Sequence, residues 1–164
     1  MIANEHKKNP VKRNKNLVVL SHEHHHGLVF CSRLNKAHKA DDEILKSFVK
    51  EFWEHNLSSH FKSEERLLLP LLEDNKIAGQ FLSEHNQIRA LIQAISENNH
   101  KNVKSDILKL SKLIHDHIRF EERVMFPWLE NALSASELIA IGNELEKTEI
   151  IAPKFSLEFW KNEN

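Results

Sequence analysis

The sequence predicts an all-α protein, an antiparallel up-down-up-down four-helix bundle with an added C-terminal helix. Three observations lead there. The 164 residues include only three Gly, four Pro and no Tyr, while the strong helix formers Leu, Glu, Lys and Ala are abundant. Apolar residues recur at steps of three and four through most of the length. A fourteen-residue segment is also written twice, HFKSEERLLLPLLE at 60–73 and HIRFEERVMFPWLE at 117–130, with seven positions identical. A chain of this size supports one sizeable core, and four helices with short connections bury it as a bundle.

Residues 1–14, MIANEHKKNPVKRN, read as a flexible, solvated basic arm. The bundle is expected over 15–132. Its first helix runs from about Asn16 to Lys39, with Leu17, Leu20, His24, Leu28, Cys31 and Leu34 on one stripe. Asp41 or Asp42 can cap the second, whose stripe is Trp53, Leu57, His60, Glu64, Leu68 and Leu71. Asp74, Asn75 and Gly79 mark a turn region before a third helix, which carries Phe81, His85, Ile88 and Ile92 to about Glu97. Asn98, Asn99 and His100 make a polar break. The fourth helix starts near Val103, with Leu110, Leu113, His117, Glu121, Val124 and Trp128 on its inner face. Pro70 and Pro127 occupy equivalent places in the two copies and are expected to bend or stop both helices there. Within 133–164, Ser134 and Glu137 have capping-box spacing at the head of a fifth, shorter helix. A tail anchored by Phe155, Phe159 or Trp160 follows.

Composition narrows the function. A formal net charge of −1 supplies no basic field for nucleic acid. No apolar run approaches the ~20 residues that cross a bilayer, and LVVL at 17–20 is too short for a signal-peptide core. Cys31 is the lone cysteine, which excludes an internal disulfide and fits a reducing cytoplasm. A monomer or homodimer is expected, with no membrane and no nucleic-acid partner.

The twelve histidines are the compositional oddity. His60 and Glu64, like His117 and Glu121, stand four apart on an apolar stripe, so both pairs point into the bundle. An unpaired carboxylate there costs several kcal/mol or more. His24 and His85 face the same interior from the first and third helices, each preceded by a Glu. His25, one helical step round, is the alternative to His24. The repeated unit is thus a helix pair, His…HxxxE, and two such pairs supply similar half-sites to two neighbouring metal ions. Four imidazoles and two bridging carboxylates, with an oxo or hydroxo bridge, fill roughly ten of the twelve positions of two octahedral ions. The open positions suit dioxygen, nitric oxide or peroxide. His22 and His26 are expected to face solvent, as are His6, His38, His55, His100 and His115, and Cys31 to be a small core residue. Glu65 and Glu122 are expected to pair at the surface with Arg66 and Arg123. Glu23 and Glu84 have two readings, orienting the histidines or plain surface charge.

The order H…HxxxE…H…HxxxE resembles the hemerythrin-like, or HHE cation-binding, family over roughly residues 15–130. The resemblance implies a four-helix bundle around a non-haem di-iron centre held by His24, His60, Glu64, His85, His117 and Glu121. Oxygen-carrying members have a further His four residues after the third-helix ligand, where this chain has Arg89, and their last carboxylate is usually an Asp five residues after its His. The functions implied are binding or sensing of dioxygen or nitric oxide. Alternatives are an enzyme acting on peroxide or nitric oxide or donating iron for iron–sulfur repair, and an iron storage or sensing module. The ferritin-like order, Glu-x-x-His with four Glu and two His, is not met.

Overall fold

The computed structural model describes residues 12–97, 102–148, 151–155 and 157–161. Among these there is no strand. The chain runs α1 (Val18–Leu34), α2 (Asp42–Phe52), α3 (Ser58–Leu67), α4 (Asn75–Ser96), α5 (Val103–Phe120), α6 (Phe126–Ala132) and α7 (Ala135–Glu146). A π-helical turn, Trp53–Leu57, joins α2 and α3 into one rod, and another, Glu121–Met125, joins α5 and α6. The four rods make the bundle, with α5 packed along α1 and α4, and α7 is the added helix. No helix among the described residues is long and apolar enough to cross a membrane.

Side chains start the helices where the sequence places acceptors. Asp41 accepts from the Ile44 amide at 3.0 Å to open α2, and Asp74 accepts from Lys76 and Ile77 to open α4. Ser134 and Glu137 form the reciprocal capping box of α7. Each such cap contributes about 1 kcal/mol. Because Asp74 begins α4, Asn75 and Gly79 lie inside the helix and not in a turn. The first helix is shorter than expected, ending at Leu34, with Ala37–Lys39 a separate 3-10 turn. The polar break at 98–100 and most of the basic arm, 1–11, lie outside the described residues, as do His6 and His100. At the end of the arm Arg13 is packed against the bundle, only 10% exposed in its side chain.

The π turns correct two further expectations. A π turn carries one extra residue, so it moves the buried stripe on by one position. Val124, expected inside, is 46% exposed, and Met125 is fully buried in its place. Pro127 comes just after this turn, at the start of α6, where proline is tolerated, and the rod continues. Pro70 has no π turn directly before it; there α3 ends at Leu67 and the chain passes through the 3-10 turn Leu69–Leu71. On α1, Leu28 is exposed because Gly27 faces α5 instead. A Cβ on Gly27 would sit 2.9 Å from Cδ1 of Ile118.

The core is two apolar clusters. One contains Phe30, Phe48, Phe52, Phe61, Ile88 and Ile114, with the tail's Phe159; the other contains Leu20, Leu68, Phe81, Met125, Phe126 and Ile141. Every rod runs from one to the other, at the histidine in α1 and α4 and just past it in the other two rods. Buried Cys31 donates to the Ser111 carbonyl, and burial pushes its thiol up to about 12, which keeps it an inert core residue.

Candidate metal centre

Between the two apolar clusters the structure gathers His24, His60, Glu64, His85, His117 and Glu121, all buried, with both glutamates fully so. The i, i+4 spacing places each rod's pair on one face, and α1 and α4 add one histidine each. Two groups result: His24, His60, Glu64 and Glu121, and Glu64, His85, His117 and Glu121, each with its donor atoms within 4.8 Å of one another. Both glutamates belong to both groups. His25 is exposed, so His24 is the residue α1 supplies.

All four Nε2 atoms face the carboxylates. His60 lies 3.0 Å from Oε1 of Glu64, His117 2.8 Å from Oε1 of Glu121, His24 2.8 Å from Oε2 of Glu121, and His85 3.3 Å from Oε2 of Glu64. Yet Nε2 of His24, His85 and His117 and all four carboxylate oxygens are buried without a hydrogen-bond partner. Native interiors hold few such atoms, and seven in one place is the signature of a site shaped for something else.

The outer nitrogens explain the inner ones. Nδ1 of His24 is 2.7 Å from Oε1 of Glu122, Nδ1 of His60 is 2.5 Å from Oε2 of Glu23, and Nδ1 of His85 is 2.8 Å from Oε1 of Glu65. Glu84 stands 3.6 Å from Nδ1 of His117, just beyond hydrogen-bond reach. A carboxylate on Nδ1 keeps the proton on that side and turns the Nε2 lone pair inward. The four contacts run in one sense around the bundle: α1 holds a histidine of α3, α3 one of α4, α4 one of α5, and the Glu121–Met125 turn that of α1.

Two expectations fail here. Glu65 pairs with Arg89 and not with Arg66, which reaches Glu144 of α7 instead. Glu122 pairs with Arg13 and not with Arg123. Spacing within one helix could not reveal these partners, because each sits on another element. The only hint in the sequence was the position of each acid, directly beside a His or Glu of the inner cluster. Between the two readings, the structure favours orientation for Glu23, which meets His60, while Glu84 falls short of His117.

Electrostatics agree with a cation-seeking cavity. Burial works against a charged imidazole, but the Glu64 charge and contacts with Glu23 raise His60 to about 9. Burial is likewise outweighed at His117, which the Glu121 charge raises to about 10, and His24 and His85 are raised by the same carboxylates. Burial would raise both glutamates, but the histidines around them hold Glu64 and Glu121 below the usual carboxylate range. Without a metal, protons on the imidazoles supply the positive charge.

An open cleft borders the cluster at His24, His60 and His117, with Gly27, Phe52, Phe61, Ile114 and Ile118 as apolar walls. His26 and His55 line it and stand outside both donor groups. Ile151, whose carbonyl accepts from the Asn56 amide at 2.8 Å, closes one side.

Among models of protein families, the one described as the hemerythrin HHE cation binding domain matches residues 16–132. No curated protein and no solved structure matched the chain.

Proposed function

The chain belongs to the hemerythrin HHE cation-binding family, and on that premise we propose that it holds two iron ions and uses them to bind or sense dioxygen or nitric oxide. His24 and His60 would hold one ion and His85 and His117 the other, with Glu64 and Glu121 shared between them, as their membership of both groups suggests. The observation that carries this reading is the division of labour in the imidazoles. Nδ1 of His24, His60 and His85 meets a carboxylate outside, while Nε2 of His24, His85 and His117 and the glutamate oxygens meet inside without partners. A mixed imidazole and carboxylate set suits iron.

When bound, a pair of ferrous ions supplies open coordination positions and electrons for a diatomic ligand. The chain's own residues do the rest. Glu23, Glu65 and Glu122 hold the rings in orientation, and Phe61 and Phe126 stack on His85 and His24, fixing their planes. The cleft gives a small ligand a path to His24, His60 and His117. Arg89 occupies the place of the further histidine found in oxygen carriers and points to Glu65, leaving the donor set at six residues.

The test is anaerobic loading of metal-free protein with ferrous iron, followed by absorption spectra and iron analysis before and after admitting air. About two irons per chain, one for each donor group, with new near-ultraviolet bands in air, is the expected result. Bands that reverse when oxygen is removed identify a carrier or sensor, and irreversible bands an enzymatic or storage role. Protein that takes up no iron would sink the reading.

A further inference from the structure

His24 and His85 share an arrangement that His60 and His117 lack. On one side, Nη2 of Arg89 forms an ion pair with Oε1 of Glu65 at 2.7 Å, and the same oxygen takes Nδ1 of His85 at 2.8 Å. The Arg89 guanidinium also lies over the Phe61 ring, its carbon 5.4 Å from the centroid, and Phe61 stacks on His85 at 3.7 Å. On the other side, Arg13 donates from Nη2 to Oε2 of Glu122 at 3.0 Å, and Oε1 of Glu122 takes Nδ1 of His24 at 2.7 Å. Arg13 lies 5.0 Å over the Phe126 ring, and Phe126 stacks on His24 at 5.5 Å with the planes 6° apart. Each motif is one arginine reaching one histidine by two routes, a carboxylate and a phenyl ring. Among the described residues no Arg or Lys pairs with Glu23 or Glu84, the acids at His60 and His117.

The internal repeat does not produce this symmetry. Arg89 follows His85 by four residues, and the residue four after His24 is Leu28, which faces solvent. Arg13 comes from before α1 and outside the 16–132 family match, and fills the vacant role from a different direction. Two further contacts, to the Glu122 carbonyl at 2.6 Å and to Glu130 at 2.7 Å, hold it there.

We propose that Arg13 and Arg89 are paired positioning residues, each fixing the orientation of one metal-binding histidine, His24 or His85. The inference rests on the two-metal reading above. A guanidinium stays charged and offers a rigid fork. Gripping the carboxylate, it fixes the acceptor that holds Nδ1, so the ring keeps Nε2 turned toward the inner cluster. Each donor group then combines one arginine-clamped histidine with one free of arginine, His24 with His60 and His85 with His117.

The test titrates metal-free full-length protein with Co(II) against a competing chelator, reading the ligand-field absorption for wild type, Arg13→Gln and Arg89→Gln. Wild type should take up two Co(II) of similar affinity. Each Gln variant should keep one of them and weaken the other by about 10–100-fold. The double variant should weaken both, and Arg66→Gln, at the unrelated contact with Glu144, neither. If wild type binds two Co(II) and the Gln variants show unchanged affinities at both sites, with only a lower melting temperature, the arginines merely pack and the proposal is overturned. If wild type binds no Co(II), the metal reading falls and takes this proposal with it. Should a Gln variant fail to fold by circular dichroism, the Lys variant decides, because it keeps the charge and loses the fork. A several-fold loss at one site upholds the proposal, and unchanged affinity at both sites overturns it.

Discussion

At the scale of single residues, the inner cluster behaves as a set of carboxylates whose counter-charge is exchangeable. The His60 and His117 imidazoles sit at about 9 and about 10 in the metal-free fold, against about 6.5 in an unfolded chain. Raised folded values stabilise fully below the unfolded value, and that stability is lost as pH rises through the folded ones. Glu64 and Glu121, held low, stabilise above their unfolded range and lose that contribution as pH falls. Chelator-treated protein should therefore be most stable between about pH 4.5 and 6.5, with urea midpoints declining steadily toward pH 10. A metal must displace the imidazole protons, so Co(II) added to weakly buffered protein at pH 7 should release acid, detectable with a pH indicator. Gly27→Ala tests the packing beside the site. Its Cβ would meet Cδ1 of Ile118 at 2.9 Å, the flexible end of a side chain, so a cost of about 1 kcal/mol is expected, read from urea unfolding. The six inner residues were legible in the sequence because i, i+4 spacing on an apolar stripe is a local property. Their outer partners were not, because Glu122 meets His24 across 98 residues and Arg13 meets Glu122 across 109.

At the scale of elements, four rods and a capped fifth helix follow from periodicity and from Asp41, Asp74 and Ser134. Ser134→Ala removes the α7 capping box. It should cost about 1 kcal/mol and lower the melting temperature by roughly 2–4 °C, with Co(II) affinity unchanged, since α7 contributes no donor. The two π turns were not legible. A window that counts steps of three and four cannot register a single extra residue, and so it assigned the inward place to Val124 when Met125 holds it. The copies place their π turns differently, Trp53–Leu57 ahead of His60 and Glu121–Met125 beginning at Glu121. Equivalent prolines consequently have different effects, ending α3 in one copy and opening α6 in the other. Sequence duplication set the donors in matching positions but did not set matching backbones.

At the scale of the whole molecule, a polar layer divides the core, with both buried glutamates at its centre. Removing carboxylates from water without full hydrogen bonding is costly, so the metal-free fold carries a penalty that a bound cation relieves. Ligand that binds only the folded state stabilises by about 2.7 kcal/mol at a hundred times its dissociation constant. Melting temperature should thus climb with ferrous iron or Co(II), and His60→Ala should remove much of the rise, as differential scanning calorimetry would record. An unchanged melting curve would contradict a metal at this site.

The directional sequence of histidine contacts around the bundle has one more consequence. Two of the four links, Glu23 to His60 and Glu84 to His117, stay within one half of the chain, and two, Glu65 to His85 and Glu122 to His24, cross between halves. Each donor group crosses as well, taking three residues from one half and a single glutamate from the other. Cleaving the backbone between Leu72 and Asp74, in the connection ahead of α4, would leave two peptides with incomplete sites and exposed apolar faces. Their reunion would be conditional on the cation, like a lock that needs two keyholders, and size-exclusion chromatography with and without Co(II) would show whether the halves recombine.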